Sequence, residues 1–89
     1  MNLNYKLEFS NEAKKYLKKL DKPTARRILE AVESIKVAPR QHSSIKKMQG
    51  YDAEVYRLRV GNYRIIYEII DDKLIIVIVR VGPRGDIYK

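Results

Sequence analysis

Arg57, Arg59 and Arg64 lie in two stretches of alternating residues, Glu54–Val60 and Tyr63–Ile70, joined by Gly61-Asn62. Extended chain sends successive side chains to opposite faces. Tyr56, Leu58 and Val60 therefore share one face, and Val55, Arg57 and Arg59 share the other. A two-residue loop at Gly61-Asn62 would pair Val60 with Tyr63, Arg59 with Arg64 and Leu58 with Ile65. Three guanidinium groups then converge on one face. Directly opposed arginines repel, and a surface that keeps them there commonly holds an anion. The alternative is that they point into water, whose high dielectric absorbs much of the repulsion.

Further along, Arg80 and Arg84 flank Val81-Gly82-Pro83, where proline should end the last strand. Simple alternation puts Arg80 on the face of Tyr63, peripheral to the other arginines. Arg84 and Tyr88 lie on the exit, in a tail long enough to fold back over the sheet. Guanidinium suits phosphate because its planar fork donates two parallel hydrogen bonds. A nearby tyrosine stacks on a base or exchanges a proton. The chemistry that these types suggest is that of an RNA backbone.

The formal charge is +8, from 19 Lys and Arg against 11 Asp and Glu, which draws polyanions and releases their counterions on contact. Nucleic acid, a membrane surface or an acidic protein would each answer to it. With no cysteine, thiol nucleophiles, disulfides and zinc–thiolate sites are excluded; with His42 alone, a multi-histidine metal site is too. His42 itself reads as a solvated loop residue, with nothing beside it to orient it. No apolar leader precedes Tyr5, and the longest apolar run, Leu74–Val79, is far short of a membrane span, so a cytoplasmic location is expected.

The 89 residues are 45% hydrophobic and 34% charged, which suits one small globular domain spanning 1–89. Tyr5–Phe9 alternates as a short strand. Ser10 is placed to cap a helix with Ala13, Tyr16, Leu17 and Leu20 on one stripe. Asp21-Lys22-Pro23 breaks it, and Ala25, Ile28, Leu29, Val32 and Ile35 mark a second helix running to Ala38-Pro39. Lys14, Lys15, Lys18, Lys19, Arg26 and Arg27 form the helices' outer face, solvated or against RNA phosphates. Tyr5, Tyr16, Tyr56 and Tyr67 are spaced as core residues. Arg40–Gly50 reads as a polar connector holding Lys46 and Lys47. Three strands follow, Glu54–Val60, Tyr63–Ile70 and Lys73–Val81, the last two joined at Asp71-Asp72, a dipeptide that suits a tight hairpin less well than Gly61-Asn62. The order β-α-α-β-β-β predicts an α+β fold, with a two-helix hairpin on one face of a mostly antiparallel four-stranded sheet.

Val60-Gly61-Asn62 with Tyr63-Arg64-Ile65-Ile66-Tyr67, then Val81-Gly82-Pro83-Arg84 and Tyr88, resembles the RelE/ParE toxin superfamily. Phe9-Ser10, the helical hairpin and Lys47-Met48-Gln49-Gly50 fit the same pattern, so the resemblance covers essentially the whole chain. It implies a RelE-like toxin that cuts mRNA in the ribosomal A site without metal or organic cofactor, neutralised by a cognate antitoxin. The reaction is attack of a ribose 2′-hydroxyl on the adjacent phosphate. Arg64 and Arg84 match the family's phosphate-stabilising arginines, and Tyr88 matches the tyrosine that orients the 2′-hydroxyl or acts as base. Arg57 and Arg59 stand where family members carry lysines; arginine does not readily give up its proton, which assigns both to electrostatic stabilisation and RNA positioning. Lys46, Lys47, Arg80 and Lys89 are expected to bind RNA or the ribosome. The antitoxin is expected to be acidic, with a helix over the basic surface. On the same fold, a ParE-like non-catalytic inhibitor of DNA gyrase and a detoxified relative that only binds RNA or antitoxin are the alternatives.

Overall fold

The computed structural model describes residues 5–41 and 43–83. Arg84, Tyr88, Lys89 and His42 therefore lie outside the described residues, as do residues 1–4. Five strands and two helices follow in the order β1 (Lys6–Phe9), α1 (Asn11–Lys19), α2 (Lys22–Ser34), β2 (Ile45–Lys47), β3 (Val55–Val60), β4 (Tyr63–Ile70) and β5 (Ile75–Pro83). The sheet order is β1-β5-β4-β3-β2; β1 runs parallel to β5 and every other neighbouring pair is antiparallel.

Local chemistry sets the helix starts. Ser10 caps α1, its Oγ accepting from the Ala13 amide at 3.0 Å and donating to the Val79 carbonyl at 2.6 Å. Asp21 caps α2 by accepting from the Thr24 amide at 3.1 Å, and Pro23 sits in the first turn, where a missing N–H costs nothing. Both helices lie over one face of the sheet. Ala13, Ile28, Val32 and Ile35 pack there against Tyr56, Leu58, Ile65, Tyr67, Ile76 and Ile78. Tyr5, Leu7, Phe9 and Tyr16 extend this core as expected, half-buried. Leu29, placed on the inner stripe by its spacing, is exposed, whereas Ile28, Ala31, Val32 and Ile35 pack on the core.

The β3–β4 hairpin follows the register that alternation required: Val60 pairs with Tyr63, Arg59 with Arg64 and Leu58 with Ile65. Gly61 takes φ +57° as the first turn residue, the Gly-first pattern of a type II′ turn. A side chain there would be strained, and its Cβ would lie 2.6 Å from Arg27 Nη2, so α2 also closes over the turn.

Three expectations are corrected. Part of the Arg40–Gly50 connector is a strand, β2, whose three residues pair with Tyr56, Arg57 and Leu58 and give the sheet five strands instead of four. Asp71-Asp72 is not a tight hairpin; a 3-10 turn over Asp71–Lys73 and a left-handed Leu74 make the connection. Finally, β5 does not stop before proline. Gly82 and Pro83 pair with Arg64 and Tyr63, because β1 covers β5 only from Ile75 to Ile78 and Pro83 has no second neighbour to supply with an N–H.

Arg40 ties the connector to β3, to the residue before it and to the 3-10 turn. Its Nη2 donates to Asp71 Oδ2 at 2.7 Å and to Glu54 Oε1 at 3.3 Å, and its Nε to the Tyr56 hydroxyl at 3.1 Å. Tyr5 donates to Asp71 Oδ1 at 2.5 Å, and Tyr56 to Glu54 Oε1 at 2.9 Å. The hydrogen bonds from Tyr5 and then Arg40 hold the Asp71 carboxyl below its ordinary range; those from Tyr56 and Arg40 do the same for Glu54. A carboxylate depressed in the folded state stabilises fully above the unfolded-state range of about 4 and loses that contribution as pH falls through its folded value. Arg40→Met should therefore flatten the acid limb of a plot of Tm against pH, read by circular-dichroism melts from neutral to acid pH. An acid limb identical to that of the parent protein would exclude this role.

Candidate functional site

The sheet face opposite the helices carries the site. Directly paired residues share a face, which sets two cross-strand rows. One runs Lys46 on β2, Arg57 on β3, Ile66 on β4 and Arg80 on β5; the next runs Arg59, Arg64 and Gly82. Adjacent strands are about 4.8 Å apart and successive same-face residues about 6.7 Å apart, so the side chains of the two rows bound one compact patch. Lys46, Arg57, Arg59, Arg64 and Arg80 therefore share one face, drawn from four strands.

The arginines of the hairpin do not all point into water. Arg57 is 7% exposed and Arg64 4% exposed, whereas Arg59 is exposed. The Nε atoms of Arg57 and Arg64, and Nη1 of Arg64, are out of contact with water. Guanidinium groups gathered in a dry setting pull strongly on any anion that arrives, because less solvent screens them. The Arg64 backbone pairs with Gly82 on β5, which is itself buried.

Arg80 is a correction. Alternation along β5 would turn it to the helix side with Ile76 and Ile78. Instead the register shifts between Ile66 and Tyr67: Tyr67 pairs with Ile78 and Ile66 with Arg80, leaving Val79 as an extra residue. This bulge returns Val81 to the core at 3% exposure and delivers Arg80 to the arginine face. Its Nε contacts Glu12 Oε2 of α1 at 2.9 Å. Lys47 goes the other way. It pairs with Tyr56, on the helix side of the sheet, and lies 3.7 Å from Glu54, so only Lys46 of the two connector lysines joins the patch. The outer-face cations Lys14, Lys15, Lys18, Lys19, Arg26 and Arg27 are exposed as expected.

Sequence reading missed a hollow beside the patch. Met48, Tyr51, Val55, Ile66 and Val79 line it, with Glu68 and Arg80 at its polar side. Tyr51 gave a signal: an aromatic between Gly50 and Asp52, outside every periodic segment, is 57% exposed. Among the described residues there is no group of three or more His, Asp or Glu placed to hold a metal ion, and no helix long and apolar enough to cross a membrane.

The chain is similar along nearly its whole length to known toxins. Residues 7–88 match the family model described as the ParE toxin of type II toxin–antitoxin system, parDE. A Methanocaldococcus jannaschii chain named for the RelE1 toxin is 32% identical over 89 residues, covering 98% of each chain. The mRNA interferase toxin RelE of Escherichia coli is 28% identical, covering 96% of this chain and 90% of its own. Among solved structures, the archaeal RelE–RelB complex from Pyrococcus horikoshii superposes with a TM-score of 0.82 at 29% identity, covering 93% of this chain and 98% of that one. With the helical hairpin, the sheet and the Gly61–Arg64 turn all in the places that the superfamily pattern requires, the chain belongs to the RelE/ParE superfamily of type II toxins.

Proposed function

We propose that the protein is a ribosome-dependent endoribonuclease that cuts mRNA in the ribosomal A site and is held inactive by an acidic antitoxin. The observation that carries this reading is the opposed pair Arg59 and Arg64 with Arg57 beside it, two of the three nearly dry. Such a patch gathers several guanidinium forks on one face and fits a dianionic centre. In the proposed reaction the ribose 2′-oxygen attacks the adjacent phosphorus and the P–O5′ bond breaks. The products are a 2′,3′-cyclic phosphate and a 5′-hydroxyl. Negative charge grows on the non-bridging oxygens, where Arg64 and Arg57 donate. Preorganised cations at that point lower the barrier without reorganising and take over the charge stabilisation that a metal provides elsewhere.

Arg59 and Lys46, on the same face, position the RNA backbone, and Arg80 extends the cationic surface onto β5. Arg84 and Tyr88 are assigned by the superfamily pattern to the phosphate and to the 2′-hydroxyl. Neutral Tyr has an ordinary pKa near 10, so several arginines close to it would make it a better base. The RelE relative named an mRNA interferase and the solved RelE–RelB complexes support the reaction class and the antitoxin.

The test is primer extension on a reporter mRNA after induction, with and without its start codon. Cuts within codons of the translated message alone are expected. Double-strand DNA breaks with intact mRNA would overturn the assignment in favour of gyrase inhibition.

A further inference from the structure

Resting on the RNA-cleaving reading above, we infer that the hollow beside the arginine patch is a nucleobase subsite that selects guanine through Glu68. Its volume is about 390 Å³, ample for one base. It opens on the same sheet face as the arginines. Arg64, Ile66 and Glu68 follow one another along β4 at same-face positions, so the hollow begins one step, about 6.7 Å, from the phosphate-holding guanidinium. A base attached to a phosphate at Arg64 is thereby directed into it.

The lining suits a base. Tyr51 offers an exposed ring for stacking, and Val55 and Ile66 form an apolar floor between β3 and β4. The Val79 bulge serves this hollow twice: it places the Val79 side chain at the wall and turns Arg80 to the rim. Glu12 engages Arg80 Nε, which leaves the planar guanidinium fixed beside the opening.

Among the described residues Glu68 is the one carboxylate in the lining, and it pairs across the strands with Val55 and Val77. An ionised carboxylate only accepts hydrogen bonds. Guanine presents two adjacent donors on its Watson–Crick edge, N1–H and the exocyclic N2 amino group, matching the two carboxylate oxygens. Adenine and cytosine set a ring acceptor beside their amino group, which a carboxylate repels, and uracil flanks its single N–H with carbonyls. Single-stranded RNA is read on these edges. A carboxylate within a +8 chain is not a feature that general anion binding would select.

The experiment is NMR titration of the intact protein with GMP, AMP, CMP and UMP, following backbone amides of Ile66, Glu68 and Val79. GMP is expected to bind about tenfold more tightly than the other three, a bidentate pair being worth that much discrimination. Glu68→Gln should remove the order while retaining the parent amide spectrum elsewhere. Arg64→Met should weaken all four nucleotides and leave their ratio. Equal affinities, a guanine preference that survives Glu68→Gln, or no measurable GMP binding would each overturn the inference. Phosphate-dependent binding without base order removes the subsite and leaves the endoribonuclease reading standing. Translated mRNA that stays intact removes the latter whatever the titration gives.

Discussion

Arg64→Met is expected to reduce cleavage of translated mRNA by at least about a hundredfold in a protein that still folds. The first half follows from position. Arg64 faces Arg59 across the hairpin, shares its face with Arg57 and is 4% exposed. A preorganised donor in a dry site stabilises developing charge far more than one in water, and losing such a donor typically costs about 10²–10³ in rate. The second half follows from where Arg64 stands: its backbone pairs with Arg59 and Gly82, and those strand hydrogen bonds do not depend on its side chain. Methionine has similar reach without the charge, so it fills the same space in the sheet. Primer extension measures the first quantity and a thermal melt the second. Full cleavage by the variant removes Arg64 from the chemistry; a Tm lower by several degrees shows that Arg64 serves the fold instead.

One residue along the chain the outcome should invert. Ile65 points to the helices, is 0% exposed, and pairs with Leu58 on β3 and Val81 on β5. Truncating such a residue loses its transfer free energy and leaves a cavity that the central strands cannot close, at about 2–5 kcal/mol. Against a total of about 5–15 kcal/mol for a small domain, that is a large share, and Tm should fall by more than about 10 °C in Ile65→Ala. Urea unfolding at low temperature should show a lower midpoint with an unchanged slope. The folded fraction should still cut mRNA at the parent rate. Loss of cleavage with Tm unchanged would place Ile65 in the site and contradict the alternation on which the arginine face rests.

That alternation was the most legible part of the chain. Arg57, Arg59 and Arg64 could be put on one face because side chains along a strand have period two, and Gly61-Asn62 fixes the register with a residue that accepts positive φ. Ser10 announced its helix through a side chain that accepts an amide hydrogen bond, whereas Asp21, read only as part of a break, caps the second helix. The Val79 bulge was not legible. One extra residue within Val77-Ile78-Val79-Arg80-Val81 leaves no trace in a run of β-branched residues, yet it moves Arg80 from one face to the other. Nor was β2: three residues, two of them lysine, give no period, and they are strand because β3 offers them an edge. The dryness of Arg57 and Arg64 is tertiary, set by neighbours that alternation along one strand does not reveal.

The parallel pairing of β1 with β5 carries a consequence for the order of events at synthesis. Ser10 donates to the carbonyl of Val79, 69 positions downstream, and Lys6–Phe9 align with Ile75–Ile78. A strand at the start of the chain thus has no partner until almost all the described residues have been made. Contacts between such distant segments form late because the intervening chain must first surrender its freedom. The helices and the β3–β4 hairpin are local and can form early, but β4 lacks its β5 neighbour until Ile75–Pro83 emerges. The arginine face is therefore incomplete until β5, which brings Gly82 beside Arg64 and Arg80 beside Ile66, has been made.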